Sequence, residues 1–192
     1  MKKVRKNINP QSWSEFPAGE LQRQYDRTDR MDIYKNIKHL IEKEDTILDL
    51  AIGGGREIRI LRDEGYENIV DACDYFQEVL DFIKTKDLKI RRLYQQDVRK
   101  DLGEDKYDIV IATEIIEHLD DPIDFIKRAL AKANKYLIIT TPERDTGQFE
   151  QHVWSFEKED LEVFGGTVER ILINNSPHLL GVYENSNRAA SR

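Results

Sequence analysis

The chain has 192 residues, 39% of them hydrophobic and 35% charged, with 30 Lys and Arg against 37 Asp and Glu for a net charge of -7. No apolar run approaches the roughly 18 to 20 residues that a membrane span needs, and the acidic balance opposes broad electrostatic binding to nucleic acid. Cys73 is the single cysteine, so neither a disulfide framework nor a thiolate metal site can be drawn, and one cytoplasmic domain with its own core is expected.

The first residues, MKKVRKNINP, are basic but no apolar stretch follows them, which leaves an export signal unsupported. Residues 1–19 read as an N-terminal extension whose Lys2, Lys3, Arg5 and Lys6 form a solvated tail or, alternatively, a docking patch. A mixed amphipathic helical lead-in is expected over 20–43, with Tyr25, Ile33, Tyr34, Ile37, Leu40 and Ile41 as its apolar positions. Residues 46–51 form the first apolar strand, and 57–64 the helix after the glycines. Strand 69–73, which holds Cys73 as a core residue, helix 76–85 and strand 90–94 come next. A fourth strand over 107–112 leads to a helix at 123–133 with Pro122 in its first turn, then to a fifth strand at 135–141 stopped by Pro142. A short helix over 157–164, with Ser155 as its cap, is closed by Gly165 and Gly166. Strands 168–173 and 179–183 meet across Asn174, Asn175, Ser176 and Pro177 as an antiparallel hairpin. Residues 185–192, NSNRAASR, read as a disordered tail.

Strands alternating with helices predict an α/β fold. We expect a Rossmann-like, doubly wound, mostly parallel seven-stranded sheet, with an antiparallel C-terminal hairpin and helices on both faces, over residues 20–184. Ligands of such sheets bind beyond the carboxyl ends of the strands. The segment TILDLAIGGGREI places Gly53, Gly54 and Gly55 at that point, where missing side chains let a ligand approach the backbone and a helix start offers N–H groups. A phosphate-binding loop would need Lys followed by Ser or Thr, which is absent after these glycines. A dinucleotide fingerprint would align Ala51, Gly53 and Arg56, and arginine is a poor third member because that glycine allows close helix packing.

The remaining pattern is acid-x-small-x-Gly-x-Gly, filled by Asp49, Ala51, Gly53 and Gly55. Acids stand at the ends of the next strands: Asp74 followed by Tyr75, then Asp97 followed by Val98. After the fourth strand comes TEIIEHLDDP, from Thr113 to Pro122. Together these residues resemble the class I S-adenosylmethionine-dependent methyltransferases, whose first motif is usually D/E-x-G-x-G-x-G; this chain departs from it at Ala51. The resemblance covers about residues 34–183 and implies S-adenosylmethionine as cofactor, with S-adenosylhomocysteine as product. It implies that Asp49, Ala51, Gly53 and Gly55 cradle the methionine end, and that Asp74 accepts from the ribose hydroxyls. It further implies that Tyr75 flanks the adenine, that Asp97 with the Val98 N–H reads its edge, and that Thr113, which begins the post-strand segment, belongs with the cofactor-binding residues.

Glu114, His118 and His152 are the candidate catalytic groups, with His152 in TPERDTGQFEQHVWSF, and Trp154 reads as core packing or as an acceptor wall. The blocks TPERD and HVWSF are similar to ones in small methyltransferases of sugar and polysaccharide biosynthesis, which implies a small polar acceptor. The acceptor pocket is expected from residues 13–25, residues 143–156 or a second subunit, so a homo-oligomer stays open. Two alternatives stand beside this reading. Glu114, Glu117, His118 and His152 are similar to the divalent-metal set of small-RNA 3′-terminal 2′-O-methyltransferases, which would make RNA the acceptor. E-H-L-x-D-P is also widespread in metal-free relatives, and no metal is assigned. The other alternative is a non-catalytic module that binds the cofactor and regulates a partner.

Overall fold

The computed structural model describes residues 1–4, 19–27, 31–145 and 151–185. The chain opens with strand β1 (Lys2–Lys3), and helices α1 (Glu20–Asp26) and α2 (Met31–Ile37) follow, the latter continued by a 3-10 turn at Lys38–Leu40. Then come β2 (Thr46–Leu50), α3 (Arg56–Asp63), β3 (Ile69–Asp74), α4 (Gln77–Lys84), β4 (Ile90–Gln95) and β5 (Tyr107–Thr113). A 3-10 turn at Ile116–His118 leads to α5 (Pro122–Lys132), β6 (Ala133–Pro142), β7 (Trp154–Ser155), α6 (Lys158–Glu162), β8 (Thr167–Ile173) and β9 (Ser176–Glu184). Among the described residues no helix is long and apolar enough to cross a membrane.

Seven strands form one sheet in the order β4-β3-β2-β5-β6-β9-β8. The pairs from β4 to β6 are parallel, while β9 runs antiparallel to both β6 and β8, as the expected hairpin requires. The central strands place apolar residues on both faces, because both faces are covered. Ile47, Ile109, Ile111, Ile138 and Leu180 point into one cluster with Ile37 of α2, Ile58 and Leu61 of α3, and Val79 and Ile83 of α4. Their chain neighbours Leu48, Val110, Ala112, Leu137 and Leu179 point into the other, with Phe125, Ile126 and Ala129 of α5 and Leu161 of α6. The two-residue period of a strand makes this partition automatic. Each fully buried Leu or Ile contributes about 1.5 to 3 kcal/mol of transfer free energy.

Chain order reverses between β2 and its neighbour β5, since β3 and β4 extend to one side and β6 to the other. Loops leaving the carboxyl ends of β2 and β5 therefore diverge, and a crevice opens between them.

Several boundaries differ from the sequence expectation. The helical lead-in is two short helices and a 3-10 turn, and Ile41 is already extended at φ -97 and ψ 114. Pro122 does begin α5, where Asp121 caps the Asp124 N–H at 2.9 Å, but the helix stops at Lys132 and the next strand starts at Ala133. Ser155 is not a helix cap. It sits in β7, paired with Lys2 of β1, and α6 is capped instead by the reciprocal bonds of Glu157 and Asp160. The hairpin turns on Asn174 and Asn175 alone, at φ 52 and 60, a left-handed pair that asparagine tolerates, so β9 begins at Ser176. The expected extension is described only at residues 1–4 and 19, and the tail only at Asn185; the rest of both lies outside the described residues.

Candidate functional site

A cleft of about 310 Å³ opens at the reversal point between β2 and β5. Its wall is built from four strand ends in turn: Ala51–Gly54 after β2, Asp74–Phe76 at the end of β3, Gln96–Arg99 after β4, and Thr113, Glu114, Ile115, His118 and Leu119 at the end of β5, with Glu20, Gln24 and Arg27 from the α1 region opposite. Ala51, Gly53, Asp74, Tyr75, Asp97, Val98, Thr113, Glu114 and His118 all line it. Residues far apart in sequence meet here because the parallel sheet brings every strand's carboxyl end to one edge.

Asp49 and Gly55 do not stand on the wall among the described residues. Asp49 is 2% exposed within β2. Gly55, at φ 73, is held by packing: a Cβ there would lie 2.6 Å from Ile83 Cδ1 and 2.8 Å from Leu88 Cδ1. Gly54 is likewise required by the protein's own chain, since its Cβ would come within 2.6 Å of Gln24 Cβ in α1. Gln24 Oε1 accepts the Gly54 N–H at 3.1 Å, so α1 is laid directly on the glycine loop. Two of the three glycines thus admit neighbouring elements, and Gly54 also lines the cleft. Ala51 adopts φ 63, the left-handed region that explains why glycine is usual in its place.

Asp74 is 5% exposed. Its Oδ2 accepts from Gly53 N at 3.0 Å and its Oδ1 from Phe76 N at 3.0 Å, which ties the β2 loop to the β3 loop. Burial raises its pKa, and those backbone N–H groups partly offset the shift. Tyr75 is 43% exposed on the rim. Asp97 accepts both arms of the Arg99 guanidinium, Nε at 2.7 Å and Nη2 at 2.8 Å, and these bonds hold its carboxyl below the usual value. Sequence reasoning passed over Arg99, which also lines the cleft.

At the other end, Glu114 takes φ 53 just past β5, a strained conformation for a non-glycine residue. Its Oε1 accepts from Thr140 Oγ1 at 2.9 Å and its Oε2 lies 3.2 Å from His178 Nε2. His178 was not foreseen; the β6–β9 register, which sets it opposite Pro142, carries it to this place. Glu117 is 1% exposed and accepts from Thr141 Oγ1 at 3.0 Å. His118 Nδ1 faces the Gln151 carbonyl at 3.0 Å. A carbonyl only accepts, so Nδ1 carries the proton and Nε2 the lone pair. Burial lowers its pKa to about 4, leaving a neutral imidazole at neutral pH.

His152 is displaced from its expected position. It is absent from the described wall of the cleft, stands edge-on behind His118 with ring centroids 4.7 Å apart, and pairs through Nδ1 with Asp145. Trp154 takes the packing role: its Nε1 donates to the Leu119 carbonyl at 2.7 Å, its ring packs on the core, and it is absent from the described wall of the cleft. Glu117, His118 and His152 offer ligand atoms within 4.8 Å of one another and could hold a divalent cation. Glu114 is outside this group, drawn to Thr140 and His178.

Comparison with known proteins agrees with this architecture. Residues 21–168 match the methyltransferase domain family. The chain is 34% identical over 112 residues to the ubiquinone biosynthesis O-methyltransferase of Rickettsia akari, covering 56% of this chain but 43% of that protein, so it spans less than half the length of this curated relative. An S-adenosylmethionine-dependent methyltransferase from Aquifex aeolicus superimposes with a TM-score of 0.60 at 19% identity, over 88% of this chain and 99% of the other. The plantazolicin methyltransferase BpumL, solved with S-adenosylhomocysteine, gives a TM-score of 0.70 at 13% identity over 91% and 93%. The chain belongs to the methyltransferase domain family.

Proposed function

We propose that the enzyme transfers the methyl group of S-adenosylmethionine to a hydroxyl of a small polar acceptor held beside Glu114 and His118. The observation that supports this is the continuity of one cleft from Asp97 and Tyr75, past Asp74 and the glycine loop, to Glu114 and His118. In this reading the adenine lies by Tyr75, Asp97 and Val98, and the ribose by Asp74. The methionine end lies on Ala51 and Gly53, whose backbone Asp49 and Gly55 help to shape, and Thr113 marks the passage to the acceptor. The O-methyltransferase name of the Rickettsia relative supports an oxygen acceptor, and the net charge of -7 favours a small molecule over a polyanion.

The reaction is an in-line displacement: the acceptor oxygen forms a bond to the methyl carbon, the carbon–sulfur bond breaks, and the sulfonium loses its charge. Alignment of donor and acceptor can remove about 7 to 11 kcal/mol from the barrier. The hydroxyl proton passes to Glu114, whose carboxylate accepts from Thr140 Oγ1; His178 Nε2, 3.2 Å away, donates to it only as an imidazolium, because Nδ1 donates to the Ser176 carbonyl. His118, kept neutral, accepts a hydrogen bond from the acceptor, and His152 fixes the His118 ring from behind.

A second reading is favoured by the Glu117, His118 and His152 cluster. A carboxylate with two imidazoles suits a divalent ion, and Thr141, the Gln151 carbonyl and Asp145 stand where outer partners of ligands usually stand. Such an ion acidifies a nearby hydroxyl, including the ribose hydroxyl of an RNA end. Incubating the protein with methyl-labelled S-adenosylmethionine and a cell extract, with and without EDTA, separates the two. Label in the small-molecule fraction that survives EDTA supports the first reading; RNase-sensitive label lost with EDTA supports the second.

A further inference from the structure

Arg99 joins two groups that come from different strand ends. Its guanidinium grips Asp97, and its central carbon lies 5.0 Å from the centroid of the Tyr75 ring. An ion pair between residues two apart needs no aromatic partner, and on an exposed surface it contributes little. Here the arginine side chain is 31% exposed and Asp97 14%, both on the wall of the cleft. The backbone beneath is pinned from the far side, where Arg128 donates to the carbonyls of Val98 at 3.1 Å and Arg99 at 3.3 Å. Tyr75 is set at 88° to Phe76 and keeps its large exposed surface.

A planar cation over a phenol ring, beside an acid, matches the chemistry of a purine. The ring system takes the flat surfaces, and the exocyclic amino group donates to a carboxylate oxygen, which has a second lone pair after accepting from arginine. We propose that Arg99 is an adenine-binding residue, which assembles Tyr75 and Asp97 into a cradle before the cofactor arrives. This rests on the placement of the adenosine end proposed above. The arginine contributes by orienting both partners and by covering the purine with its own plane.

Calorimetry on the full chain with S-adenosylhomocysteine and with 5′-deoxy-5′-methylthioadenosine, which lacks the amino-acid end, tests this. Arg99→Ala should weaken both probes by the same factor, about tenfold. Arg99→Lys, which keeps the charge and guards against a folding defect, should still weaken both about fivefold, because an ammonium has neither the fork nor the plane. Wild-type affinity of either variant for both probes would overturn the proposal, as would a loss confined to S-adenosylhomocysteine. Asp97→Asn and Tyr75→Ala separate the two levels of failure. If they too leave affinity unchanged, the placement of the adenosine end is wrong; if they weaken binding while the arginine variants do not, only the role of Arg99 fails.

Discussion

Replacing Ala51 by glycine should make the protein more stable, against the usual effect of adding a glycine. Ala51 holds φ 63 at the turn leaving β2, a conformation that costs an L-residue about 1 to 2 kcal/mol through contact of its Cβ with the following carbonyl. Glycine removes this cost but gives the unfolded chain more freedom, a loss of about 0.4 to 1 kcal/mol. The difference predicts a net gain of about 0 to 1.6 kcal/mol for Ala51→Gly. Urea denaturation measures it directly, as a rise in the midpoint at unchanged slope. The same variant clears a methyl group from the wall of the cleft, so affinity for S-adenosylhomocysteine should hold or improve. A variant less stable than the parent would refute the reasoning, because strain at Ala51 would then not be present in the folded chain.

Asp74→Asn should weaken S-adenosylhomocysteine binding by about 1 to 3 kcal/mol, as expected when a charged acceptor becomes neutral; calorimetry that finds no change would remove Asp74 from the site. Glu114→Gln should slow methyl transfer about 10² to 10⁴-fold while cofactor affinity stays the same, and wild-type turnover would end its role as base. His118 should resist protonation: with its folded pKa near 4 and an unfolded value near 6.5, its contribution to stability is complete above about pH 6.5 and is lost as pH falls through the folded value. Imidazole NMR should therefore show His118 neutral at pH 5.5, and a midpoint above about 6 would contradict its burial. Burial of Asp71 opposes its charge, but bonds from Arg91, Arg92 and Tyr107 outweigh that and hold its pKa far below normal. That stability is present above the unfolded carboxylate value and lost as pH falls toward the folded one, and Asp71→Asn should cost about 2 to 4 kcal/mol at pH 7 in urea denaturation.

The parts of this molecule that were legible in its sequence are those governed by local period and by strand ends. Apolar runs such as YDIVIA showed the central strands, and acids just past them, Asp74 and Asp97, indicated the edge where the cleft opens. What stayed hidden depends on contacts across long stretches of chain. Gly54 and Gly55 read as ligand clearance because nothing local announces Gln24 or Ile83 and Leu88 as their neighbours. The pairing of Glu114 with His178 follows from the register of β9 on β6, and single-sequence patterning does not specify register between distant strands. His152 is a candidate by residue type alone, and the structure sets it against His118, with ring centroids 4.7 Å apart. β1 escaped notice because two lysines carry no strand signal; its partner Trp154–Ser155 supplies the reason for its extension.

A crystal structure of the complex with S-adenosylhomocysteine tests the central claim most directly. The account predicts adenine against Tyr75 and Asp97, the ribose on Asp74 and the sulfur facing Glu114 and His118. A ligand bound in the same cleft with its sulfur turned away from both groups would contradict the proposed acceptor site and the chemistry built on it.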